Sequence, residues 1–133
     1  MDDTTGLMKD AGWELGVRRT VAAPVEDVWE YFIVDGVGTW LGETTLGLHK
    51  GDAYLTADGV AGEIRSRTDL LRLRLTWQPD DWDHASTLQI TLMPAASGTT
   101  IGLHHERLAS QEERTRMLEH WHRVLDRVVD DLT

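Results

Sequence analysis

Apolar and polar residues alternate with period two over residues 13–21, which puts Leu15, Val17 and Val21 on one side and predicts a half-buried strand. Pro24 then opens a helical segment. Glu26 and Asp27 suit its first turn, and Val25, Val28, Trp29 and Phe32 recur at helical spacing. The helix is expected to stop near Gly36, where Gly36 and Gly38 break the pattern before Trp40 and Leu41. Residues 53–56 and 59–66 read as strands joined at Asp58-Gly59, a strong hairpin signal. In residues 70–77 the alternation is clearest, with Leu71, Leu73, Leu75 and Trp77 on one face and Arg72, Arg74 and Thr76 on the other. Leu88, Ile90 and Leu92 alternate with Thr87, Gln89 and Thr91, and Ser97-Gly98 turns the chain into a last strand over 99–106. Successive strands with short connections imply an antiparallel meander.

The period changes once more at residue 110. Ser110 with Glu113 three residues on forms a capping box, and Met117, Trp121, Val124, Leu125, Val128 and Leu132 fall on one stripe of a long amphipathic helix. A sheet with one apolar face and a helix with one apolar stripe bury each other, so the class is α+β with a single core. Residues 1–12 read as a flexible leader and residues 13–133 as one domain, which 133 residues without an internal repeat or linker allow. No apolar run is long enough to span a membrane, and the first residues are unlike a secretory signal. With 13 basic and 23 acidic residues the net charge is −10, which disfavours nucleic acid and anionic lipid as partners. The absence of cysteine removes thiolate zinc sites and cysteine nucleophiles and fits a cytoplasmic location.

Several segments occur in an order that carries a resemblance. They are 21–29 (Val-Ala-Ala-Pro-Val-Glu-Asp-Val-Trp), Trp40 after a glycine-containing bend, Gly51-Asp52-Ala53-Tyr54, Gly62-Glu63-Ile64, Leu75-Thr76-Trp77, residues 98–105 and finally 121–132. Together they resemble the START/SRPBCC superfamily, in particular the branch of the C-terminal domain of the activator of the heat-shock-protein ATPase. The resemblance implies a helix-grip fold, in which the sheet wraps the C-terminal helix and leaves an apolar cavity between them. Gly51-Asp52 departs from the Gly-Gly pair of many relatives.

On that fold, the side chains expected to line the cavity are Tyr54, Ile64, Leu73, Leu75, Trp77, Leu88, Ile90, Leu103, His105, Met117, Trp121 and Leu125. Apolar, aromatic-rich linings suit an apolar or aromatic ligand, and His105 shares strand parity with Ile101 and Leu103, which would supply one polar contact. Trp82, between two aspartates, is expected to be partly exposed at a cavity mouth or interface. No metal or cofactor is expected. Neighbouring His104 and His105 point to opposite faces of a strand, and His120 and His122 lie about 200° apart on a helix. There is no nucleophile elbow and no phosphate loop. The leading expectation is thus a cytoplasmic binding protein for a small hydrophobic ligand. A co-chaperone-like interaction module, acting through its surface or as a homodimer with the interior packed solid, is the alternative. A cyclase or hydrolase is the weakest reading, because general acid–base work needs more than one interior titratable group. Direct contact among Trp77, His105 and Trp121 with no void between them would remove the physical basis of the binding reading and put the interaction module in its place.

Overall fold

The computed structural model describes residues 6–8 and 12–133. Its seven-stranded antiparallel sheet has the order β1-β2-β7-β6-β5-β4-β3. The strands are β1 (Leu7–Met8), β2 (Gly12–Val21), β3 (Ala53–Leu55), β4 (Ala61–Thr68), β5 (Arg72–Trp77), β6 (Ser86–Ala95) and β7 (Gly98–Leu108). Between β2 and β3 run α1 (Val25–Glu30), a π-helical turn (Tyr31–Asp35) and α2 (Val37–Trp40), and the chain closes with α3 (Gln111–Leu132). This is the helix-grip arrangement. Within the segment expected to be a leader, Leu7 and Met8 instead pair with Trp13 and Gly12, while residues 1–5 and 9–11 lie outside the described residues.

Strand alternation and register build the interior in rows. Ile64, Leu75, Leu88, His105 and Leu15 are successive cross-strand partners, and Leu73, Ile90, Leu103 and Val17 form the next row, all buried. Onto them pack Trp121, Leu125 and Val128 of α3, with Met117, Val124 and Leu132 partly buried at the edges. The helix begins as its capping residues dictate. The Glu113 N–H donates to Ser110 Oγ at 3.1 Å, and the Glu113 carboxylate reaches back to the Ala109 N–H at 3.0 Å.

Local geometry refines these expectations. The helical run after Pro24 breaks at Gly36 as expected, but its last turn, Tyr31–Asp35, is π-helical, and a short α2 follows from Val37. A Cβ on Gly36 would lie 2.3 Å from the Tyr31 ring, so glycine at this break also permits close packing. Leu71, expected inside, is 44% exposed: Leu70 adopts a left-handed φ of 67°, and β5 begins only at Arg72. In the loop before β3, the Asp52 carboxylate accepts the His49 N–H at 3.0 Å and holds the turn.

Because Leu125 is fully buried under the sheet, Leu125→Ala should lower the unfolding free energy by about 2–5 kcal/mol in a urea titration. A loss below about 1 kcal/mol would mean that α3 is not the sheet's main cover.

Candidate functional site

The residues named for the cavity come together on the inner face of the sheet and the facing stripe of α3. Eleven of the twelve are buried and Met117 is partly buried. What they enclose differs from the expectation. The rings of Trp77 and His105 meet edge to face with centroids 5.1 Å apart, and those of Trp77 and Trp121 lie 5.6 Å apart. The Trp121 indole N–H donates to His105 Nδ1 at 2.9 Å. These three side chains therefore fill the space assigned to a ligand with their own rings.

His105 occupies a fully buried position that its polarity would make costly without partners. It has two. Ser86 Oγ donates to the Trp77 carbonyl at 2.6 Å, so that oxygen is left to accept from His105 Nε2 at 2.8 Å. The chain of donors runs from Trp121 to His105 to Ser86 to the Trp77 carbonyl and requires neutral His105 with its proton on Nε2. Burial, reinforced by the nearby His120, His104 and His84, pushes its pKa down to about 3. With both ring nitrogens engaged, His105 has no group free for a ligand or for proton transfer in this state. Strand parity places His105 on the inner face, and the same parity puts Ser86 on one face with Leu88, the signal by which sequence could have found it.

An aromatic cluster continues outward from this chain. Trp82, on the loop between β5 and β6, packs edge to face on Trp77 at 5.2 Å and is itself stacked on His84 at 4.8 Å. It is partly exposed, as expected. The loop is tied down twice. Gln78 Nε2 donates to the Trp82 carbonyl at 2.8 Å, and His84 Nε2 lies 2.7 Å from the Glu113 carboxylate on α3. Burial pulls the His84 pKa down, but hydrogen bonds to Asp83 and Glu113 outweigh it and the net shift is upward. On the other side stands His120, 6.4 Å from the Trp77 ring centroid, whose pKa is lowered by burial and by Arg123. His120 also lines a cleft of about 390 Å³ between α2 and α3, together with Gly38, Thr39, Arg123, Val124 and Arg127. One polar atom of the cluster stands out: Trp77 is 5% exposed, and its indole N–H has no hydrogen-bond partner.

The family described as Activator of Hsp90 ATPase homolog 1-like protein matches residues 22–132. Among solved structures, CalU16 from Micromonospora echinospora is similar with a TM-score of 0.75 and 22% identity, over 85% of this chain and 71% of that one. DynU16, a protein in the dynemicin biosynthetic locus, superposes with a TM-score of 0.77 at 20% identity. That match covers 88% of this chain and 46% of DynU16, so this chain spans about half of its length. Protein CV1439 from Chromobacterium violaceum gives 0.70 at 20% identity over 90% and 96% of the two chains. No curated protein sequence matches the chain. No helix among the described residues is long and apolar enough to cross a membrane.

The hydrogen-bond chain sets a pH dependence. Below pH 6.5 the unfolded His105 takes up a proton that the folded one refuses until about pH 3, so stability is complete above 6.5 and falls through that window. The slope from one such proton is at most about 1.4 kcal/mol per pH unit. His84, with its raised pKa, contributes the opposite sign: its stabilisation is present at low pH and lost as pH rises. Urea titrations between pH 7.5 and 4.5 should show a shallower decline for His105→Gln than for the unaltered protein; equal slopes would contradict the assignment. His105→Leu should be destabilised by about 1–3 kcal/mol at pH 7.5, because the Trp121 N–H loses its buried acceptor.

Proposed function

The chain belongs to the activator of Hsp90 ATPase homolog 1-like family, and from that premise we propose that it binds a small apolar or aromatic molecule carrying one hydrogen-bond acceptor, at an interior site that is closed when empty. The observation that carries this reading is the Trp77 indole N–H, a buried donor with no acceptor. Leaving such a group unpaired costs about 1–3 kcal/mol, which a ligand carbonyl or ether oxygen would recover. The polar contact that the sequence assigned to His105 thus moves to Trp77, since His105 is already satisfied on both sides.

Entry would require Trp82 to leave the face of Trp77, with the loop between β5 and β6 hinging while His84 and Glu113 part. Neutral His120 forms the opposite rim and presents an aromatic edge rather than a charge. The apolar rows behind, including Leu75, Leu88 and Leu125, suit a hydrophobic body rather than a sugar-like one. A chain without cysteine agrees with a cytoplasmic setting for this activity.

A second reading is favoured by the direct contacts among Trp77, His105 and Trp121: a packed interior suits an interaction module that works through its surface. Catalysis draws no support from His105, whose two nitrogens are occupied.

A panel of aromatic ketones, aryl ethers and matched hydrocarbons distinguishes the readings by the six tryptophan indole N–H resonances. Binding should shift the Trp77 N–H to that of a hydrogen-bonded indole and perturb Trp82. Trp77→Phe should weaken ketones and ethers by about 0.5–1.5 kcal/mol while sparing the hydrocarbons. If no compound moves the Trp77 resonance, the ligand reading fails and the interaction module stands.

A further inference from the structure

The sheet's outer face carries a group of side chains that the interior site does not use. We propose that Glu14, His104 and Glu106 form a binding site for a divalent transition-metal ion of the zinc type, bridging β2 and β7. Their ligating atoms, one from each residue, all lie within 4.8 Å of one another. His104 Nε2 is 3.3 Å from Glu14 Oε2. Donors held about 2.0–2.1 Å from a tetrahedral zinc are separated by about 3.3–3.4 Å, so this pair already stands at a coordination edge.

The placement follows from strand geometry. His104 and Glu106 are two apart on β7 and share the outer face, opposite to His105 between them. Glu14 comes from the neighbouring strand, where the pairing slips between Trp13 and Leu15. Leu15 pairs with His105 and Trp13 with Leu108, so Glu14 alone stands across from Glu106 and Arg107. Arg107 takes up the extra residue with a left-handed φ of 64°. Beyond it both strands resume their inward alternation, and Glu14 remains on the outer face beside His104. Weighing the histidines only against one another could not reveal this site, because its other two ligands are glutamates and one of them stands on the neighbouring strand.

The chemistry of the donors selects the ion. One imidazole nitrogen and two carboxylate oxygens suit zinc or a neighbouring first-row ion better than calcium, which takes oxygen ligands alone. Three protein ligands leave a coordination position for water. The side chains of Glu14, His104 and Glu106 are 24%, 38% and 13% exposed, so an ion can reach them without opening the core. Arg74 is the competing cation: its guanidinium pairs with Glu106 and also donates to Gln89 at 3.2 Å. A metal would displace Arg74 from Glu106 and leave it on Gln89. Arg18, paired across the strands with Gly102, is the other cation on this face near His104.

Untagged protein freed of metal by a chelator should bind one Zn²⁺ per chain in calorimetry and melt at a higher temperature with it. His104→Ala and Glu14→Gln should each weaken binding by at least about tenfold, the scale on which even supporting residues of metal sites act. Arg74→Gln should tighten it by freeing Glu106, and His122→Ala, an exposed histidine on α3, should leave it unchanged. Circular dichroism confirms that each variant is folded. Absence of saturable binding to the unaltered protein, or binding that survives both His104→Ala and Glu14→Gln, would overturn the site.

Discussion

A single buried imidazole joins the two layers of this protein. His105 accepts from the indole of Trp121 on α3 and donates to Ser86 on the adjacent strand, so the helix is held to the sheet by directed bonds as well as by apolar contact. Apolar burial is the larger energy, but it is non-directional and would tolerate a helix slid along the sheet. The hydrogen-bond chain does not. Each donor in it has one acceptor within reach, and breaking any link leaves a polar group stranded among fully buried side chains. The tautomer, the neutral state and the position of α3 along the sheet are in this sense one constraint.

That constraint also determines what remains available for function. Once Trp121, His105 and Ser86 have satisfied one another, the Trp77 carbonyl is used and its indole N–H is not. The unpaired donor sits where the aromatic cluster meets the loop bearing Trp82, so a connection rather than a regular element covers it. The Glu113 carboxylate serves two ends at once, closing the N-terminus of α3 and holding His84 of that loop. Helix start and loop closure are therefore coupled, and an interior opened at Trp82 would be felt first at the beginning of α3.

Most of the architecture was legible from periodicity. The inward rows and the stripe of α3 follow from the alternation of Leu73, Leu75 and Trp77 and from the helical spacing of Trp121, Leu125 and Val128. Departures arose where local geometry depends on contacts distant in sequence or on a single backbone angle. The left-handed φ of Leu70 turns Leu71 outward although its parity points inward. The π turn after α1 has no compositional mark; its Gly36 N–H donates to the Tyr31 carbonyl at 2.6 Å, and the Tyr31 ring packs tightly against Gly36. At the candidate site, residue types and faces were readable, but occupancy was not. Whether Trp77, His105 and Trp121 surround a space or fill it depends on a hydrogen bond between residues sixteen positions apart on different elements. The register of β2 on β7, a long-range pairing, likewise decides that Glu14 stands beside His104 and Glu106.

The directed link between helix and sheet rests on the protonation state of His105, and long-range proton–nitrogen correlation of its ring at neutral pH reads that state directly. A neutral imidazole is predicted, with the proton on Nε2 and an unprotonated, hydrogen-bond-accepting Nδ1. A proton on Nδ1, or a charged ring at pH 6, would contradict it, because Trp121 would then face a donor and α3 would have no directed bond to the sheet.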